Sequence, residues 1–517
     1  MHDSRIHSED FYMFRKALRL GTLMLVILFL LGSLPACKGP ASSDEKDRWS
    51  SPTETSKQTE YSVIDEDRWS SPTETATEFS DIVDYSQLTV WSYSDEIKVM
   101  TRVFMDYNPY VEVEYVEFSS MDELYRQSVL AAANTYQCPD VIVMDSSFVE
   151  EFVSMDDLLM DISDLEQNSD ALDIYPNIIE AGINDKTGEL RAVPFQYTPG
   201  AVIYRRSLAR EYFGTDDPNE IQEMMSDWEK YTGMAETVRV KSKGKSYMLS
   251  SVDELVLPFL NNRQLPWIVE NKLTIDPKIE ELTELSYTFG RNDYTAGLTP
   301  GWSEWLVGLT DDLTDGNGDK IQIFSYFVSS DDFLSVFSHA GNSLTDGDWA
   351  CVPGPMAYSA GGTWIGIMNH AAMIEDAKEF VRFVALDETQ LTDWATGVYT
   401  QDYLADLNSK FSMPEGSETF FQPAGDFVSS QKVVESIIPF FDDSEMSDFL
   451  GGQNFYEAFA TAALNCPMDV IHSDNGRIQE LFVEALHSYA YGDMSKEDML
   501  QSFRDSVQAE YPEIAVE

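Results

Sequence analysis

Between Gln87 and Met144 the spacing of apolar residues switches back and forth between a period of two and a period near 3.6. No other feature of this chain constrains its fold as strongly. QLTVW, Gln87 to Trp91, sets Leu88 and Val90 on one face, as a strand does. Residues 95–107 carry a helical pattern that Asn108-Pro109 stops. VEVEYVEF, Val111 to Phe118, alternates strictly and predicts a second strand; Met121 to Ala133 predicts a second helix. Cys138-Pro139 breaks the chain, and Val141 to Met144 is an unbroken apolar run, which suits a parallel strand buried on both faces. The order is βαβαβ, the signature of an α/β lobe. Ligands of such sheets collect beyond the carboxyl ends of the strands. Here those ends are Trp91-Ser92-Tyr93, Phe118-Ser119-Ser120 and Asp145-Ser146-Ser147.

Further on, Val193 to Gly200 is expected to punctuate the chain before AVIY, another short strand, and Ser207 to cap the helix SLAREYF. Ala377, Phe380, Val381 and Val384 share one helical face, as do Ile478, Leu481, Phe482, Ala485, Leu486 and Tyr489; both stripes read as core. Ser495 followed by Asp498 predicts a cap for the last helix. At 517 residues the chain is long enough for two domains or lobes.

The N-terminus reads differently. Arg15, Lys16 and Arg19 precede an apolar run, Leu20 to Leu31, which ends in SLPACKG. A basic start, a short apolar run and small residues describe an export signal, and the run is short beside the ~20 residues a membrane span needs. Leu34-Pro35-Ala36-Cys37 resembles the lipobox of bacterial lipoproteins, which implies a signal over 1–36 and acylation of Cys37; an uncleaved signal anchor is the alternative. Both place the rest of the chain outside the cytoplasmic membrane. Residues 37–86 are dominated by Ser, Thr, Asp, Glu and Pro and hold DRWSSPTET twice. Such a segment buries too little apolar surface to offset its ordering entropy, so it reads as a disordered tether spanning roughly 40 Å. A linker tolerates duplication because no packing depends on it.

Ninety Asp and Glu face 34 Lys and Arg, a net charge of −56. Such a surface repels nucleic acid and leaves a neutral ligand unaffected. Cys138, Cys351 and Cys466 are widely spaced, without metal-ligand or framework pattern, and read as small buried hydrophobes; export permits one bridge among them. HExxH, GxSxG and GxGxxG are absent. Gly244-Lys245-Ser246 imitates the end of a phosphate loop, but Arg239 stands where its first Gly belongs. Asp315-Gly316-Asn317-Gly318-Asp319 imitates a calcium loop, but Lys320 and Tyr326 occupy the Gly and Glu positions. Both read as turns. Neither cofactor nor metal is expected.

The landmarks LTVWSYSDEIKVMTRVFMDYNPYVEVEYVEF, CPDVIVMD, AVPFQYTPGAVIYRRSLAREYFGTDDP, GDWACVPGPMAYSAGGTWIGI and AKEFVRFVALDETQ, in that order, resemble the extracellular solute-binding proteins of ABC importers, in particular the carbohydrate-binding kind related to maltose-binding protein. The resemblance runs from Gln87 to the C-terminus. It implies a two-lobed α/β periplasmic-binding-protein-like fold with a hinge and an interlobe cleft. The first lobe would take 87–196 and 358–427, the second 197–357 and 428–517. The implied partners are a carbohydrate ligand, permease subunits of an ABC transporter, and the membrane through the lipid anchor. A monomer is expected.

A sugar presents an apolar C–H face and a rim of hydroxyls, so its sites combine aromatic rings with polar side chains. Trp91, Tyr197, Trp302, Trp305, Trp349 and Trp364 stand at predicted strand ends or in turns, off the apolar stripes, and with Asp145 they form the candidate ligand-binding set. A binding protein without catalysis is the reading. The rivals are a binder of peptides or polyamines, a surface glycoside hydrolase, and an adhesin.

Overall fold

A computed structural model describes residues 86–121, 123–167, 173–298, 303–411, 424–467 and 476–516. The export segment, Cys37, the tether with its repeated words, and Trp302 lie outside them.

The opening alternation folds as its periods dictate. β1 (Ser86–Ser92), α1 (Asp95–Tyr107), β2 (Val111–Glu117), α2 (Glu123–Ala132) and β3 (Val141–Asp145) follow in order, then a short α3 (Val149–Ser154). Ser94 caps α1 by accepting from the Ile97 amide, and Asn108 ends it. β1 runs parallel to both β2 and β3. Val141 to Met144 of β3 are fully buried. β2 is the sheet edge, and Glu112, Glu114 and Glu117 stand exposed along it, which discourages pairing with another chain.

β4 (Ala192–Arg205) overturns the expected break. VPFQYTPG does not punctuate; it is the first half of a 14-residue strand. Pro194 and Pro199 are tolerated because each sits beside a register shift in the ladder, facing Trp364 and Ser359, where the lost amide is not missed. α4 (Arg206–Phe213) corrects a second expectation. Ser207 lies inside this helix, and the cap comes from far along the chain: Asp348 accepts from the Ser207 amide at 2.8 Å and its hydroxyl at 2.5 Å.

Beyond it come α5 (Trp228–Ser242), α6 (Val256–Asn261), α7 (Pro277–Arg291), α8 (Ser303–Leu309), β5 (Ser325–Ser329) and α9 (Ser330–Ala340). Then follow β6 (Trp349–Val352), β7 (Ser359–Ile367), α10 (Ile374–Leu386), α11 (Glu388–Ala395), α12 (Phe455–Ala463), α13 (Gly476–Ala490) and α14 (Lys496–Glu510). The two predicted stripes are buried on α10 and α13, and Ser495 caps α14. Two small two-stranded ribbons complete the strands among the described residues. Asp315 accepts from the Asn317 and Asp319 amides, closing the turn read from sequence. The three cysteines Cys138, Cys351 and Cys466 are free.

The main sheet has the order β6-β4-β7-β3-β1-β2, with β5 also on β4. β4 is the strand that two lobes share. Its first half pairs with β7, which pairs in turn with β3. Its second half pairs with β5 and β6. Side chains alternate along it: Ala201 and Ile203 enter one apolar core, Val202 and Tyr204 another. The first core extends from the β1–β3 sheet along one face of the second lobe; the other lies wholly in the second lobe, under α4, α5, α7, α13 and α14.

Three chain segments meet where the lobes join. Gly200 donates its amide to Tyr358 at 2.8 Å, Tyr197 donates to Phe427 at 2.9 Å, and Ser429 donates to Phe195 at 3.0 Å. A Cβ on Gly200 would stand 2.2 Å from the Tyr358 ring, so only glycine lets these backbones approach.

Candidate functional site

A cleft of about 1120 Å³ opens between the lobes. Its first wall carries Met121, which precedes α2, and Arg126 of α2, with Ser146, Ser147 and Phe148, which follow β3. Its second wall carries Leu260, Asn261 and Arg263 at the end of α6, Arg477 at the start of α13, and Tyr511. Ser359, Ala360 and Gly361 of β7 form the floor. Gly361 has φ +110°, and a Cβ there would lie 2.7 Å from Ser146 Oγ. The site thus lies beyond the carboxyl ends of the first-lobe strands, as the βαβαβ pattern requires.

The charged lining balances. Arg126, Arg263 and Arg477 face Glu123, Glu151 and Glu480. Arg126 donates to Glu151 through Nε at 2.8 and 2.9 Å and reaches Glu123 at 3.2 Å; Arg477 pairs with Glu480 at 2.8 Å. The Arg263 guanidinium lies 5.1 Å over the Trp267 ring. In a chain of net charge −56, this neutral, preorganised lining is a local exception.

Deeper along the same strand ends the chemistry changes. Asp145 immediately precedes the lining residues Ser146 and Ser147 and pairs in register with Thr363 of β7. Thr363 Oγ1 donates to Gln196 at 2.9 Å, and Gln196 Nε2 donates to Asp426 at 2.8 Å. Asp426 also accepts from Trp394 Nε1 at 2.5 Å. Burial pushes the Asp426 carboxyl up to about 7, and Glu96 and Asp331 add to the push. Burial likewise raises Asp145. Asp331, in the first turn of α9, is raised by desolvation first, then by Asp332 and Glu96. Tyr93 is raised well above a free phenol by burial first and by Asp145 next.

The sequence-predicted set divides. Trp91 is half-buried at the end of β1, its ring 5.3 Å from Phe118; Asp145 is half-buried at the end of β3, its carboxylate accepting from the Ser147 amide at 2.7 Å. Tyr197, Trp305, Trp349 and Trp364 lie in the first core instead. Trp364 is 0% exposed and donates Nε1 to the Ile178 carbonyl at 3.0 Å. Trp349, also 0% exposed, packs under Arg205 at 5.2 Å. Trp305 meets Tyr326 edge-on at 5.4 Å, and Tyr197 accepts from Asn177 Nδ2 at 2.5 Å. As the lobes stand, none of these four turns a ring face to a ligand. Trp302 lies outside the described residues. Sequence reasoning passed over Arg126, Asn261, Arg263, Arg477, Glu96, Asp331 and Asp426. The strand-end rule had already indicated Tyr93, Ser146 and Ser147; the rest reach the site through helix termini and crossings that carry no local signal.

A family model described as bacterial extracellular solute-binding protein matches residues 104–405, more than half of the chain. No curated protein matches it. Among solved structures, a crystal structure described as extracellular solute-binding protein family 1 aligns with TM-score 0.63 at 16% identity, covering 82% of this chain and 99% of that one. The sugar-binding protein MalE from Xanthomonas citri aligns with TM-score 0.58 at 15% identity, covering 82% and 97%. An ABC-transporter-associated binding protein from B. animalis subsp. lactis Bl-04, in complex with β-1,6-galactobiose, aligns with TM-score 0.54 at 15% identity, covering 84% and 99%.

Proposed function

The chain belongs to the bacterial extracellular solute-binding proteins, and from that premise we propose that it captures a carbohydrate of oligosaccharide size in the interlobe cleft and delivers it to the permease of an ABC importer. The observation that carries this reading is the charge-balanced lining of a wide cleft in a chain so acidic. Paired guanidinium and carboxylate groups offer donors and acceptors to a hydroxyl-rich guest without favouring either charge. Trp91, Phe118, Phe148 and Tyr511 are half-buried rings near strand ends or lining the cleft and can pack on sugar C–H faces. Trp91 and Asp145 remain proposed ligand contacts, joined by Ser147 and Asn261. The solved relative that holds β-1,6-galactobiose supports this class of ligand.

Closure follows from differential affinity. A ligand touching both walls stabilises the closed state, and the three crossings between the lobes form the hinge. The proposed lobes are 87–196 with 358–427, and 197–357 with 428–517. Cys37 carries a lipid that holds the monomeric protein at the outer face of the cytoplasmic membrane, and residues 37–86 tether it. Nothing covalent happens to the sugar. The carboxylates of the inner wall, with their raised affinity for protons, give a hydrolase its one supporting feature.

Thermal unfolding and calorimetry across a panel of oligosaccharides, with chromatography of the same mixtures, test the reading. Capture at near-micromolar affinity, about −8 kcal/mol, raises the melting temperature and returns intact sugar. Cleavage products would establish the hydrolase; silence toward every saccharide would reject the proposal.

A further inference from the structure

We propose that Asn261 fixes the polarity of the guest: the crossing between the lobes locks its carboxamide so that it only donates to the cleft, and the bound saccharide must turn an acceptor oxygen toward it. This rests on the reading of the cleft as a saccharide site and adds the residue that decides how the saccharide lies.

Asn261 is the last residue of α6, and Asn262 caps that helix. Both reach the segment that leads into β7. The Ser359 amide donates to Asn261 Oδ1 at 2.6 Å, and Asn262 Nδ2 donates to the Ala357 carbonyl at 3.0 Å. The same segment is held from β4 and β5. Gly200 donates to the Tyr358 carbonyl at 2.8 Å, and the Tyr358 hydroxyl donates to the carbonyls of Ala201 and Val328 at 3.2 and 3.1 Å. A backbone N–H only donates, so the Asn261 atom that meets Ser359 is its oxygen, and the NH2 group is turned away from that bond. Asn261 is 7% exposed and lines the cleft. Its Nδ2 bonds no protein atom among the described residues, yet it is not among the sealed, unpartnered polar atoms, so the opening it meets is the cleft.

The neighbouring hydroxyls of the lining behave differently. Ser359 Oγ is spent: it accepts from the Gly361 amide at 2.9 Å and donates to the Thr198 carbonyl at 3.1 Å. Ser146 and Ser147 carry hydroxyls that turn to donate or accept as a guest requires. Turning the Asn261 amide over would set its NH2 against the Ser359 amide, donor to donor, and strand both. A sugar hydroxyl or ring oxygen satisfies Nδ2 by accepting. An ammonium group, which carries donors only, does not, so Asn261 also selects against the polyamine rival.

Calorimetry on the full chain tests this with β-1,6-galactobiose, maltotriose and cellotriose, and with the monodeoxy derivatives of whichever binds most tightly. Asn261→Asp keeps an acceptor for the Ser359 amide and replaces the donor by a second acceptor. The saccharide should bind this variant about tenfold or more weakly, while melting curves without ligand stay close to the wild type. One monodeoxy derivative should lose about tenfold against the wild type and almost nothing further against the variant, because the contact is already gone. Asn261→Ala, which removes both bonds, gives the same pairing if the charged variant does not fold. Unchanged affinity in the variant overturns the inference and leaves saccharide capture standing. So does a set of derivatives whose losses are all equal in the two proteins. If none of the three saccharides binds the wild type, the reading of the cleft as a site for such oligosaccharides falls with it.

Discussion

In the outer cleft every lining carboxylate has a guanidinium partner: Glu123 and Glu151 meet Arg126, and Glu480 meets Arg477. At the inner wall Asp426 is held by an amide and an indole, with Glu96 and Asp331 as its charged neighbours. Both regions line up along the same strand ends, yet they handle charge by opposite means. Paired groups keep their charge across a wide pH range and offer fixed geometry. A buried carboxylate with no cationic partner holds its proton more tightly. The outer region therefore holds its charge, and the inner one makes the stability of the fold depend on pH.

The comparison depends on the crossings that join both regions, and breaking them has the largest expected effect. Gly200→Ala drives a Cβ to 2.2 Å from the Tyr358 ring, an overpacking that should cost about 1–3 kcal/mol. Chemical denaturation should register that loss, and saccharide binding should weaken with it.

Asp426→Asn sharpens the contrast next. The carboxyl sits at about 7 in the folded protein, against about 3.9 unfolded. The folded state therefore holds the proton more tightly, and the stability this contributes is complete below about pH 4 and lost as pH rises through about 7. An Asn offers one acceptor where Gln196 and Trp394 both donate, so the variant loses one hydrogen bond at every pH; its stability relative to the wild type should nevertheless rise by on the order of 2–4 kcal/mol between about pH 4 and pH 8. Denaturant titrations across that range would read it; a gap constant with pH would refute it. Glu254, buried in the second lobe and likewise raised to about 7, should add a similar dependence that this variant leaves in place.

Arg126→Ala acts on the outer region alone. It leaves Glu151 unpaired, and ligand affinity should fall by about tenfold, roughly 1.4 kcal/mol, with little pH dependence added. Trp91→Ala should cost affinity about 0.5–1.5 kcal/mol through the lost ring contact. Lys98→Met, which removes only the half-exposed pair with Glu117, should change stability by less than about 1 kcal/mol, and serves as the reference for the others.

The strand and helix order of the first lobe was legible because each element's burial follows its own periodicity. Leu88 and Val90, the run Val141 to Met144, and the stripes on α10 and α13 are buried as the pattern requires. Pro194 and Pro199 misled because proline usually ends a strand, and only the pairing with β7 and with the Phe427 segment shows a ladder able to omit their amides. Ser207 misled because the real cap, Asp348, is 141 residues away. Tyr197, Trp349 and Trp364 stood near turns or strand ends in the sequence, which says nothing about what a neighbouring lobe lays over them.

From its residues alone this chain determined an α/β lobe and the strand ends where a ligand gathers, because hydrophobic period is a local property that survives any tertiary arrangement. Only the tertiary structure decided that β4 is shared by two lobes, that four of the candidate aromatics belong to the core, and that charge-paired guanidinium and carboxylate groups from segments far apart in sequence line one cleft. Those outcomes depend on contacts between segments far apart in sequence, and no local pattern encodes which segments will meet.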